Sequence, residues 1–85
     1  MPSPPSTAAL RARTRVGANV RRLRKAMPGK VSQEMLGELA ECHRTYVSQL
    51  ERARTNISVD RLARFSLIFE VDIVDLLIAH EEEGP

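Results

Sequence analysis

Val16, Val20, Leu23 and Met27 recur at steps of four, three and four, the apolar stripe of an amphipathic helix. The other faces of that segment are mostly arginine. Pro28-Gly29 ends it, because Pro disfavours helical geometry in the residue before it and Gly frees the turn. Ser32 is placed to cap a second helix, with Gln33 and Glu34 in its first turn and Leu36, Leu39 and Ala40 as its apolar side. A break near Glu41-Cys42 leads to a third helix over residues 43–52, with Val47 and Leu50 turned inward. Ser58 caps a fourth, in which Leu62, Phe65, Ile68 and Phe69 share a face. Asp72 caps a fifth, carrying Ile73, Leu76, Leu77 and Ile78. Period-two alternation and hairpin dipeptides are lacking, so the pattern predicts an all-α fold, a bundle of five short helices.

The first six residues hold three prolines and two serines, the composition of a flexible arm. Helical character can begin after Ser6 or Thr7 and is firm from Arg13. The expected plan is an arm over residues 1–12, a folded domain over 13–80 and an acidic tail over 81–85.

Composition narrows the function. Eighty-five residues suit one domain, and 42% hydrophobic with 28% charged is ordinary globular composition. Tyr46, Phe65 and Phe69 are the only aromatic residues, so the core is aliphatic. A lone Cys42 makes no intrachain disulfide, and with only His43 and His80 beside it no metal site is expected. No apolar run approaches the roughly 18 residues of a membrane span. The N-terminus lacks the basic-then-apolar pattern of an export signal, so a protein of the reducing cytosol is expected. Paired carboxylates, a phosphate loop and a nucleophile–base constellation are all lacking, which argues against an enzyme, a cofactor or a small-molecule effector.

The net charge of +2 conceals a gradient. Residues 1–30 carry eight Arg and Lys and no acid, whereas residues 61–85 carry two basic and six acidic side chains. Such asymmetry fits either a face that meets a polyanion or a solvated, Arg-rich first helix.

The stretch from Gln33 to Arg52 is more specific. Two short helices this close in sequence must cross steeply, which brings their backbones together and demands a small residue at the contact. Gly37 meets that demand, and Leu36, Ala40, Cys42, Val47 and Leu50 supply the apolar corner. This is a helix-turn-helix, whose second helix is free to enter a DNA major groove.

The run SQEMLGELAECHRTYVSQLER resembles the helix-turn-helix of the Cro and phage-repressor (XRE) family, and RTNISVDRLARFSLIFEVDIVDLL is similar to its fourth and fifth helices. Arg44-Thr45-Tyr46-Val47-Ser48, then Glu51-Arg52 and Asn56, is similar to restriction–modification controller proteins, and also to solitary regulators. Three positions depart from the family, Glu41, Ala53 and Glu70 standing where Gly is common. If the backbone there is left-handed, each costs roughly 1 kcal/mol. The MPGKV loop is also longer than usual.

Arg44, Thr45, Tyr46, Ser48 and Gln49 lie between the inward residues of the third helix and are the candidates for base contact. Arg44 can take guanine bidentately, and Gln49 can reach adenine or simply solvate the surface. The resemblance carries base and backbone contacts to Arg44, Thr45 and Tyr46. Gln33 begins the second helix, where orphan N–H groups favour a phosphate. The resemblance carries to it a clamp on the DNA backbone that supports the third helix; the alternative is a simple helix start. His43, Arg52, Arg54, Thr55, Asn56, Arg21 and Arg22 are the further candidates for phosphate contact. The resemblance pairs Arg24 with Glu51, tying the first helix to the end of the third. Cys42 reads as a small buried hydrophobe.

The C-terminal third holds more apolar surface than one side of two short helices can hide. Either the core absorbs it, or Phe69, Val71, Ile73, Leu76 and Leu77 form a homodimer interface, as in the family's small members. The function expected is a homodimeric, sequence-specific regulator of transcription on double-stranded DNA, touching RNA polymerase where it activates. The alternative is an antitoxin or other protein-interaction module using the fourth and fifth helices.

Overall fold

A computed structural model describes residues 3–80 of the chain. The acidic tail expected over residues 81–85 lies outside the described residues. Five helices follow in order: α1 Thr7–Ala26, α2 Gln33–Ala40, α3 Arg44–Glu51, α4 Val59–Phe69 and α5 Val74–Leu77. No strand occurs among the described residues.

Serine hydroxyls set three of the helix starts. Ser6, Ser32 and Ser58 accept the N–H groups of Ala9, Met35 and Arg61 at 3.0–3.1 Å, satisfying donors that a first turn otherwise leaves orphaned. The Ser6 cap starts α1 earlier than the expected boundary. Residues 7–12, assigned to the arm, are helical, since Ala, Leu and Arg propagate a helix readily once it is capped. Helix α1 stops at Ala26, before Pro28.

The fifth helix is a single turn. Asp72 Oδ1 accepts the Val74 N–H at 3.1 Å, and Asp75 Oδ2 accepts the Asp72 N–H at 3.0 Å. Ile73 precedes that turn, and Ile78 follows it in extended backbone.

The core draws on every helix: Val16 and Val20 of α1, Leu36 and Ala40 of α2, Val47 and Leu50 of α3, Leu62 and Phe65 of α4, and Leu76 of α5. Two expectations are corrected here. Leu76 is 0% exposed within one chain and so is closed to a second copy, because α5 packs on α1 and Leu76 is its inward residue. Leu39 is 54% exposed. The buried stripe Leu36–Gly37–Ala40 leaves it roughly 110° round a helix that turns about 100° per residue.

Val31 and Asn19 are buried without having stood out in the sequence. Asn19 Nδ2 donates to the Ile78 carbonyl at 2.8 Å, and its Oδ1 accepts from Arg22 at 3.3 Å. Both ends of the amide are thus satisfied, and the chain after α5 is fastened to α1.

Glu41, Ala53 and Glu70 adopt the left-handed backbone, with φ of 57°, 61° and 58°. Lys30, in the long first loop, does so as well, with φ of 56°.

Candidate nucleic-acid interface

Gly37 lets α2 and α3 cross. A methyl on it would stand 2.7 Å from the Cys42 carbonyl oxygen and 3.3 Å from the Arg44 nitrogen, closer than packed atoms tolerate. Gly17 makes a comparably close approach at the C-terminal end of α3. A methyl there would collide with the Leu50 carbonyl oxygen and lie 3.0 Å from that of Glu51. Helix α3 is therefore seated by backbone contact against both α2 and α1.

Polar contacts fix its end. Arg24 Nε donates to Glu51 Oε2 at 2.7 Å and Arg24 Nη2 to Oε1 at 3.0 Å. Arg24 Nη1 also donates to the Val31 carbonyl at 3.0 Å, and Gln33 Nε2 to Glu51 Oε1 at 2.9 Å. The side chains of Arg24 and Glu51 are 12% and 3% exposed. The hydrogen bond to Glu51 holds the Arg24 guanidinium above its ordinary pKa, so Arg24 stays charged. One carboxylate thus joins α1, the start of α2 and the end of α3.

At its other end α3 is capped by His43, whose Nδ1 accepts the Thr45 N–H at 3.0 Å. A neutral imidazole accepting at Nδ1 carries its proton on Nε2, which leaves that N–H as a donor. Arg44, Thr45 and Gln49 are exposed, and Ser48 is half-buried. Gln33, Arg44, Thr45, Ser48 and Arg52 line one polar concavity at the α2–α3 junction.

The remaining candidates divide. Arg52 Nε donates to the Ser48 carbonyl at 3.4 Å, which holds its base along α3. Arg54 is exposed and Thr55 half-buried beside it. Asn56 Oδ1 accepts the Ile57 N–H at 2.8 Å, which leaves its Nδ2 as a donor. Arg21 lies roughly 40° round α1 from Gly17 and Arg22 roughly 140°. Arg21 therefore shares the α3-facing edge. Arg22 does not: its guanidinium meets Asn19 and, at 3.1 Å, His80 Nε2. The expectation of a phosphate contact at Arg22 is corrected, because Arg22 belongs to the junction of α1 with the chain after α5.

Tyr46 is also more engaged than a free base reader. Its hydroxyl donates to the Asn56 carbonyl at 3.0 Å, and the Arg61 guanidinium lies 4.4 Å from its ring centroid. Arg61 did not emerge from the sequence, since its nearness to Tyr46 depends on how the loop after α3 returns the start of α4 to that side chain. Cys42 is half-buried, and desolvation raises its thiol pKa despite nearby Arg61 and Arg64. That is the environment of an unreactive thiol.

Beyond α3, Val74, Leu77 and Ile78 are exposed around α5, and Leu67 on the outer side of α4 is 79% exposed. Phe69, Val71 and Ile73 are half-buried, with Phe69 and Ile73 packed against the core. Among the described residues no cluster of three His, Cys, Asp or Glu side chains is placed to hold a metal ion. No described helix is long and apolar enough to cross a membrane.

The helix-turn-helix family profile matches residues 20–76. Control protein C.BamHI of Bacillus amyloliquefaciens is 38% identical over 61 residues, spanning 72% of this chain and 74% of that protein. Among solved structures, the hypothetical transcription factor NHTF from Neisseria aligns with a TM-score of 0.75 at 29% identity, over 96% of this chain and 91% of that one. The restriction–modification controller protein C.AhdI from Aeromonas hydrophila aligns with a TM-score of 0.68 at 28% identity, over 75% of this chain and 94% of that one. Seated on a fold in which α2 and α3 cross at Gly37, these likenesses identify the chain as a member of the helix-turn-helix family of Cro and phage-repressor (XRE) type, a DNA-binding transcription regulator.

Proposed function

We propose that the chain binds a palindromic operator as a homodimer and reads it with α3 in the major groove. The observation that carries this reading is the division of α3 into two sides. Val47 and Leu50 are buried in the core, whereas Arg44, Thr45 and Gln49 are exposed on a helix seated by the Arg24–Glu51–Gln33 network. In the proposed complex Arg44 takes guanine, Thr45 and Gln49 meet neighbouring bases, and Ser48 and Tyr46 support them.

Gln33, His43 Nε2, Arg52, Arg54, Thr55, Asn56 and Arg21 grip the phosphates on either side. They supply affinity and register rather than sequence information. The dimer forms around α5 through Leu77 with Phe69, Val71 and Ile73, joined by exposed Val74 and Ile78. A twofold dimer presents two copies of α3 to half-sites about 34 Å apart, one turn of DNA.

Likeness to the control proteins supports the narrower reading of an autoregulating restriction–modification controller. Such a regulator represses where its operator overlaps a promoter and activates where it sits upstream against RNA polymerase.

The test is selection of the purified protein against random duplex DNA at about 150 mM salt, where loose charge attraction is screened. An inverted repeat with half-sites one turn apart is the expected product. Binding without a motif that disappears as salt rises overturns the reading.

A further inference from the structure

Tyr46 is the chain's only tyrosine, and elements outside α3 hold it at two points. Its hydroxyl bonds to the Asn56 carbonyl in the loop before α4, and its ring lies under the Arg61 guanidinium. The 4.4 Å separation is well inside the roughly 6 Å reach of a cation–π contact. The base of Arg61 is itself fixed, because its N–H closes the Ser58 cap of α4 at 3.1 Å.

The charge of the same guanidinium partly offsets the rise that burial imposes on the Cys42 thiol pKa, in the turn between α2 and α3. One turn further along α4, Arg64 Nη1 pairs with Glu41 Oε1 at 3.1 Å. That second pair is exposed on both sides and contributes little by itself. The Arg61–Tyr46 stack is different in kind. With Cβ bonded to α3 and the hydroxyl anchored on Asn56, the ring keeps only rotation about its long axis, and a cation over its face restrains that as well.

We propose that Arg61 is a positioning residue for DNA recognition: its guanidinium, stacked on Tyr46, sets the rotation of α3 relative to α4 and so the angle at which Thr45 and Gln49 meet the bases. The inference rests on the reading of α3 as the recognition helix. Base recognition tolerates errors of only about 0.5 Å and 10–20° in the groups that carry it. A clamp on the flank of α3 therefore acts on specificity although it touches no base. Burial raises the Tyr46 phenol above its ordinary pKa and Arg61 opposes that rise, so the stack has an optical signature in a chain with one tyrosine.

The experiment compares the wild-type chain, Arg61→Met, Tyr46→Leu and the double variant on the operator recovered by selection, together with ultraviolet titration of the Tyr46 phenol. Arg61→Met is expected to weaken operator binding about two- to fivefold, the worth of an exposed cation–π contact. It leaves the salt slope unchanged, makes no further difference in the Tyr46→Leu background, and moves the Tyr46 titration upward. Three outcomes overturn the proposal: full operator affinity in Arg61→Met, a loss that persists undiminished without Tyr46, or a salt slope reduced by about one, which makes Arg61 a phosphate contact. If the wild-type chain selects no operator, the recognition-helix reading itself fails. An unmoved Tyr46 titration in Arg61→Met overturns the clamp with or without DNA.

Discussion

Arg24 and Glu51 meet at two points, 2.7 and 3.0 Å, and join the last turn of α1 to the last residue of α3. The pair is nearly shielded from water, and each partner has a further hydrogen bond, to the Val31 carbonyl and from Gln33. Helix α3 has only eight residues, too few to hold itself in water. Its placement therefore depends on such ties.

Arg24→Met should lower stability by about 3 kcal/mol, the low end for a broken buried pair, because Glu51 is left charged without its partner. Urea unfolding measures it. The double variant Arg24→Met/Glu51→Leu should be less damaged than Arg24→Met alone, since no charge is then stranded. A double variant at least as unstable as the single one would show that the pair's worth lies elsewhere.

Gly17→Ala should destabilise by about 1–3 kcal/mol, as overpacking does, although alanine is normally the better helix former. The added methyl meets the carbonyls of Leu50 and Glu51, backbone that cannot move aside. Gly37→Ala should behave alike through the Cys42 carbonyl. Urea midpoints above wild type for either variant contradict the close approach.

Stability should fall as pH rises above about 8.5, the ordinary thiol range. Burial raises the pKa of both Cys42 and Tyr46. The folded chain therefore holds these protons more tightly than the unfolded chain. The stability they contribute is complete below the ordinary pKa values and is lost as pH climbs through the raised ones. Cys42→Ala should flatten the first part of the fall in a series of urea midpoints.

On the selected operator, Arg44→Ala should cost roughly 1–3 kcal/mol and relax preference at one base pair. Arg54→Ala should weaken all duplexes alike and reduce the salt slope by about one. Titrations at several salt concentrations separate the two. Unchanged affinity and preference in Arg44→Ala would mean that another face of the chain reads DNA.

Leu77→Asp with Ile78→Asp should shift the chain from dimer to monomer in light scattering, because a carboxylate in an apolar interface loses its hydration without a partner. Leu67→Asp, on the outer side of α4, should leave assembly unchanged. A wild-type monomer would instead turn attention to a partner protein for α4 and α5.

Helix identity was legible from the chain because caps and apolar periodicity are local. Ser32 and Ser58 mark starts, Pro28-Gly29 marks a stop, and Val16–Val20 and Val47–Leu50 mark inner faces within a few residues of one another. The demand for Gly37 was legible from the short turn it serves, whereas Glu41, Ala53 and Glu70, all left-handed, were marked only by the family resemblance, as positions where Gly is common. Packing between distant segments decided the rest. Leu76 is core and Leu39 is surface because α5 lies on α1 and α2 buries only a narrow stripe. Arg22 meets His80 because Asn19 fastens the chain after α5 to its edge of α1. Arg61 reaches Tyr46 because the loop after α3 brings the first turn of α4 back beside the Tyr46 ring. Sequence alone determines where helices begin, end and turn their apolar sides, since those preferences are settled within a turn or two of backbone. Which charged side chains are left facing out for DNA is decided only when the helices pack, because that depends on neighbours far away along the chain.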